Sequence, residues 1–315
     1  MKVRRFRLRS RNKCGRIERL PRTKKIGKAT LPYIGISEAR KEEIAELAEL
    51  IAHEHSPNGS VDPEWIAKSK GITISYGHYR DSFDGLLEHC SDRFHIYCNL
   101  DRLTRKENPR TKFTLAHELG HFFIVEHSLA LRSGRSPGHG SFTEYESKNP
   151  VEQEADHFAS SLLMPKERFL RLASKEPAGI PGIITLARHF GTSLTSTAIR
   201  YASLEVKPCF VVKWSADGFN WKWLSTRTRL ANYRKTIEEL SNIVPGSATA
   251  RALAGENIPE TGFFQTGTTA SAWFPFVSQG ARRNIILIEQ AIALGRFGVL
   301  TFIYPERGDF LAESI

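Results

Sequence analysis

Residues 113–121 read Phe113-Thr114-Leu115-Ala116-His117-Glu118-Leu119-Gly120-His121, and this stretch decides the fold. It contains H-E-x-x-H inside an apolar pattern that predicts a helix from about Arg110 to Glu126. Positions four apart on a helix lie about 40° apart around its axis, so His117 and His121 project from one face. Two neutral imidazoles on one face can bind a single Zn²⁺, and Glu118 is placed to reach a water on that ion. The ion lowers the pKa of such a water to about 7, and Glu118 can take its proton as general base. The competing reading is a core helix with satisfied histidines. It is disfavoured because two histidines and a glutamate are costly to bury without a metal or partners.

A catalytic zinc of this kind needs a third protein ligand and one open position. His127 follows His121 by six residues. Ile124 stands where a glycine would turn the chain back, and on a continuous helix His127 lies about 240° around from His121. That places it on another face. The second source is the segment Val151-Glu152-Gln153-Glu154-Ala155-Asp156-His157-Phe158-Ala159-Ser160-Ser161-Leu162-Leu163-Met164-Pro165. Its apolar side is Val151, Ala155, Phe158, Ala159 and Leu162, flanked by Glu152 and Glu154. Periodicity leaves both open and slightly favours Glu152. Both also fit solvated first-turn acids that complement the helix dipole.

Working outward, Ser37 reads as the N-cap of a helix from Glu38 to about Glu54, and Asp62-Pro63 opens a shorter one closed by Gly71. Ile72–Tyr76 alternates as a strand. Leu86–Cys90 and Phe94–Cys98 flank Ser91-Asp92-Arg93 as a hairpin. Residues 133–141 read as a Gly/Ser/Pro/His-rich loop, and residues 167–204 as two or three helical pieces. After Pro208 the texture changes. Cys209–Trp214 and Phe219–Leu224 form a hairpin about Ala216-Asp217-Gly218, a helix is expected near 230–243, and strands are expected at Trp273–Val277, Ile285–Glu289 and Val299–Tyr304. The fold class is therefore α+β. Expected units are an arm at 1–30, a metal-binding domain of helices and a small mixed sheet at 31–166, a helical segment at 167–205, and a separate α+β domain at 206–315.

The blocks 113–121 and 154–165, in this order after a helical segment and a hairpin, resemble the ImmA/IrrE metallopeptidases. The likeness covers roughly residues 37–204. It implies a zincin-like domain, and its pattern makes the glutamate directly before Ala155, Glu154, the third zinc ligand beside His117 and His121, with Glu118 as base and Glu152 as runner-up. Asp156 stands where the family often has Asn. The resemblance further implies a cytoplasmic zinc endopeptidase that cleaves a regulatory protein, commonly a helix-turn-helix repressor, in stress response or mobile-element control. Some relatives carry a DNA-binding module between peptidase and sensory domains, and some a GAF-like domain at the C-terminal end.

Charge separates the arm from the body. Of 45 Lys+Arg and 34 Asp+Glu, thirteen bases and one acid lie in residues 1–30, so the other 285 residues carry 32 bases and 33 acids. The body has no surplus charge with which to coat nucleic acid, although the arm could contact it weakly and with steep salt dependence. Arg4-Arg5 is followed by no apolar region, which argues against an export signal, and no apolar run is long enough to span a membrane. Four scattered cysteines suit a reducing compartment and give no thiolate zinc cage. Ile184–Ser193 resembles the first helix and turn of a helix-turn-helix, although Thr197 and Arg200 are polar where that motif wants apolar packing. This feature supports the alternative function, a DNA- or protein-binding regulator on a zincin scaffold. Residues 206–315 show no cofactor motif and read as a sensor or docking unit. Tyr145, Tyr201 and His139 are candidates for oxyanion stabilisation by residue type alone.

Overall fold

The computed structural model describes residues 36–57, 59–135, 140–142, 149–215, 217–226, 243–274 and 285–308. The basic arm, the helix expected near 230–243, and the oxyanion candidates His139 and Tyr145 lie outside the described residues.

The first unit begins with α1 (Glu38–His55), whose N-cap Ser37 accepts a hydrogen bond from the Arg40 amide, and α2 (Pro63–Ser69), capped by Asp62 with Pro63 in its first turn. Such caps satisfy amides that have no partner within the helix and stabilise by about 1 kcal/mol each. Then come β1 (Thr73–Gly77), β2 (Gly85–Cys90) and β3 (Arg93–Asn99). The β2–β3 hairpin turns on Ser91 and Asp92, at φ 50° and 60°. Two left-handed central residues match the right-handed twist of the flanking strands. The mixed sheet has the order β1-β3-β2-β4 with β4 at Gly140–Ser141, and β1 runs parallel to β3.

After a short helix α3 (Leu100–Leu103) come the two helices that matter most, α4 (Pro109–Phe123) and α6 (Pro150–Leu163). Between them, α5 spans Val125–Arg132. The single helix expected over about 110–126 is therefore broken. Ile124 is extended (φ −71°, ψ 113°) and only 2% exposed. Burying that β-branched side chain in the core takes the place of the expected glycine turn.

α7 (Lys166–Ala173), α8 (Ile180–Phe190) and α9 (Leu194–Ser203) complete the helical part. Gly191 ends α8 in the left-handed conformation, so the helix–turn–helix connection is present. The second helix is not available to a groove, however. Ser196, Thr197, Ala198, Arg200, Tyr201 and Ala202 of α9 are buried. Arg200 bonds the Met164 carbonyl and Glu49, which ties α9 to the end of α6 and to α1. The polar residues that disagree with a DNA-binding pattern are core polar contacts here.

The second unit is a five-stranded antiparallel sheet of order β6-β5-β9-β8-β7, built from β5 (Phe210–Ser215), β6 (Gly218–Leu224), β7 (Phe264–Thr269), β8 (Ile286–Ala293) and β9 (Val299–Pro305). Strand alternation divides its faces. Val211, Leu300 and Phe302 join the core that contains α9, with Tyr201 edge-on to Phe302. Phe210, Val212, Trp214 and Ile303 face a second core with α10 (Ala248–Leu253) and α11 (Ala270–Trp273). Tyr201 is thus a core residue 1% exposed, packed between the two units, which removes it as an oxyanion candidate. Trp273, expected to start a strand, ends α11 instead, and its indole is buried with Nε1 donating to Glu289.

Candidate metal centre

The close approach of α4 and α6 builds the site. A Cβ on Gly120 would lie 3.1 Å from the Ala155 Cα and 3.2 Å from its carbonyl oxygen. Only a glycine facing a small residue lets the helix backbones come so near. The approach sets His117 and His121 of α4 against Glu152 of α6. His121 Nε2 and His117 Nε2 are 3.1 Å apart, His117 Nε2 is 3.3 Å from Glu152 Oε2, and His121 Nε2 is 3.5 Å from Glu152 Oε1. All three residues are buried, and they form the group able to hold a metal ion among the described residues.

These spacings fit the ion the sequence suggests. Ligands at about 2.0–2.1 Å around a tetrahedral zinc are separated by about 3.3 Å. Two imidazole nitrogens and one carboxylate are also the zinc-type donor set with one position left for water or substrate. Three acceptor groups facing one point at this separation, out of contact with solvent, call for a cation or shared protons.

Glu154, expected as the third ligand, lies outside this cluster. Its carboxylate is gripped by Arg40 of α1, Nε to Oε1 at 3.2 Å and Nη2 to Oε2 at 2.9 Å, and it meets His127 Nε2 at 3.2 Å. The reason is helical phase. Two residues apart on a helix is about 200° of rotation, so when Glu152 faces α4, Glu154 faces α1 and α5. His127 is not among the three either. The break at Ile124 returns it to the back of the site, with its Nδ1 3.2 Å from His121 Nδ1. The expected 240° offset applied to an uninterrupted helix.

His117 Nδ1 lies 2.8 Å from Asp156 Oδ1. A carboxylate on the far nitrogen fixes the ring and raises its basicity, the usual support for a metal-binding histidine. Burial pushes the His117 imidazole down, but the hydrogen bonds it donates to Asp156 and Glu152 reverse this and hold it well above its ordinary value. Sequence reasoning gave Asp156 no role. The signal was its i+4 spacing from Glu152, which puts both carboxylates on one face.

Glu118 is 0% exposed, and both its carboxylate oxygens are buried. Strand β2 presses on it. A Cβ at Gly85 would fall 2.6 Å from Glu118 Oε1 and 2.5 Å from Thr114 Cγ2, so this strand position admits no side chain. The start of β2 is itself pinned. Buried Asp84 is paired with Arg102 at 2.6 Å and with Arg110 of α4 at 2.7 Å, and Asn99 bonds the carbonyls of Arg80 and Phe83. Gly85 was not singled out from the sequence, since its requirement exists only once β2 and α4 are packed.

A mixed sheet over a helix bearing H-E-x-x-H, with a carboxylate supplied by a second helix, defines a zincin-like metal-site domain. Residues 104–201, from the approach to α4 through α9, match the family model described as the IrrE N-terminal-like domain. Over those residues the chain is similar to the ImmA/IrrE metallopeptidases. Among solved structures it is similar to a Mycobacterium tuberculosis transcriptional regulator, with 14% identity and a TM-score of 0.55 over 85% of this chain and 78% of that one. At that identity the likeness is one of fold. No curated protein matches the sequence.

Proposed function

We propose that the protein is a zinc-dependent endopeptidase in which His117, His121 and Glu152 hold the metal and Glu118 is the general base. The observation that carries this reading is the convergence of those three side chains beside a buried glutamate one residue after the first histidine. A zinc ion bound there supplies Lewis acidity for a peptide carbonyl and for a water. Glu118, buried beside β2, takes the proton of the attacking water and returns it to the leaving amine. Asp156 keeps the His117 ring in place while charge develops.

The likeness to the ImmA/IrrE metallopeptidases supports a regulatory protein, such as a helix-turn-helix repressor, as what is cleaved. The solved neighbour is named a transcriptional regulator, which favours a second reading in which the zincin scaffold serves regulation without essential proteolysis. The burial of α9 weighs against DNA recognition through residues 184–204. No helix among the described residues is long and apolar enough to cross a membrane, and a cytoplasmic site of action is part of the proposal.

The experiment is Glu118→Gln. The variant is expected to keep zinc and to lose about 10²–10⁴-fold in cleavage rate, and the substrate is expected among proteins that accumulate in cells carrying it. Undiminished cleavage would sink the mechanism, and undiminished biological function would favour the regulator reading.

A further inference from the structure

The two metal-facing histidines are supported in different ways. His117 leans directly on Asp156. His121 leans on a chain of three residues from three elements: His127 of α5, Glu154 of α6 and Arg40 of α1. His127, by its spacing, and Glu154, by the family pattern, were both candidates for the third ligand, and the structure joins them to each other behind His121.

Proton inventory gives the chain one direction. The His121 Nδ1 and His127 Nδ1 face each other at 3.2 Å, so one of them carries a hydrogen and the other accepts it. His127 Nε2 faces Glu154 Oε2 at 3.2 Å. Glu154 accepts through both oxygens from the Arg40 guanidinium, which has donors only, and a carboxylate has none to offer. His127 must therefore donate from Nε2. In its neutral form it then accepts at Nδ1, so His121 donates from Nδ1. That leaves His121 Nε2 without a hydrogen, its lone pair directed at His117 Nε2 and Glu152. The opposite arrangement would put a hydrogen on His121 Nε2, in the space where the ion must sit.

We propose that Arg40, Glu154 and His127 form a positioning chain that sets His121 in the tautomer and orientation able to bind the metal. The proposal rests on the reading that His117, His121 and Glu152 are the ligands. Arg40 also bonds Glu126 and Glu43, so the chain fastens α1, α5 and α6 at one point and couples their packing to the metal site.

The test is zinc affinity of the full-length protein, measured by competition with a chelating indicator, for wild type, His127→Phe, Glu154→Leu, their double variant, Arg40→Met and Glu152→Gln. Loss of an outer hydrogen-bond partner typically weakens metal binding by about 10–100-fold, and that loss is expected for His127→Phe and for Glu154→Leu. The double variant should be no weaker than the poorer single one, because both changes cut the same chain. Imidazole nitrogen NMR of the metal-free protein at alkaline pH should show His121 protonated at Nδ1 in wild type and a mixture of tautomers in His127→Phe. A packing defect alone would not change that signature. If His127→Phe does not fold, Glu154→Leu and Arg40→Met carry the same test. Zinc affinity within about twofold of wild type in the single variants overturns the chain and leaves the ligand reading standing. Fully additive losses also overturn it. Loss of all binding in Glu154→Leu with retention in Glu152→Gln makes Glu154 a ligand, and overturns both.

Discussion

The protein buries carboxylates in two places and treats them in opposite ways. At the candidate metal centre, Glu152 meets two imidazole nitrogens that are themselves potential acceptors. In the C-terminal sheet, Glu289 is 0% exposed and surrounded by donors. Its Oε1 accepts from the Thr249 amide and hydroxyl at 2.7 Å, and its Oε2 from Trp273 Nε1 at 2.9 Å. The Thr249 hydroxyl in turn lies 2.7 Å from that of Thr301, which accepts from Trp214 Nε1. Every hydrogen in that network has an acceptor, running from Trp214 through Thr301 and Thr249 to Glu289. The difference shows that burial of a carboxylate does not mark a site; what matters is whether donors or acceptors face it. Acceptors facing one another need a cation or shared protons, whereas donors facing a carboxylate close a structural network.

The largest expected effect that separates the two is on metal binding. Glu152→Gln should remove zinc binding from the titration while leaving the C-terminal core intact. Retained tight binding would erase the distinction. Glu289→Leu should do the reverse. It leaves the Thr249 amide and the Trp273 indole without an acceptor and should destabilise the protein by about 2–4 kcal/mol in denaturant unfolding, with zinc affinity unchanged. A shift in zinc affinity would mean that the sheet is coupled to the site across the core shared through Tyr201 and Phe302. A smaller effect sharpens the contrast within α6 itself. Burial, aided by Arg200, pushes His157 down to about 4, whereas an unfolded-chain histidine titrates near 6.5. Between those values the unfolded chain binds the extra proton, so this contribution to stability is complete above pH about 6.5 and is lost as pH falls toward 4. His157→Leu should flatten that slope by about 2–3 kcal/mol relative to wild type. Identical slopes would contradict it.

Much of the site was legible. H-E-x-x-H on an apolar helix was enough to place His117, Glu118 and His121, and the hairpin was readable from Ser91-Asp92 between two alternating runs. The third metal-facing residue shows where such reading stops. Ala155 and Ala159 form a small-residue stripe with Glu152 and Asp156 at helical spacing, and this is the side that meets Gly120. Periodicity left both glutamates open and slightly favoured Glu152, and the carried-over family pattern turned the choice to Glu154. His127 was unreadable because no glycine or proline announces the break at Ile124; burial of that side chain imposes it. β7 was missed because Phe264–Thr269 is an edge strand with alternate residues exposed and Gly267 inside it, so it lacks the apolar density of a central strand.

The central claim is that the ion sits between α4 and Glu152, with Glu154 one step behind it. An anomalous difference map at the zinc edge, from crystals of the zinc-loaded protein, tests it most directly. One peak is expected within about 2.0–2.2 Å of His117 Nε2, His121 Nε2 and a Glu152 oxygen, with Glu154 still on Arg40 and His127. A peak bonded to Glu154 or to His127, or no peak between the two histidines, would contradict it.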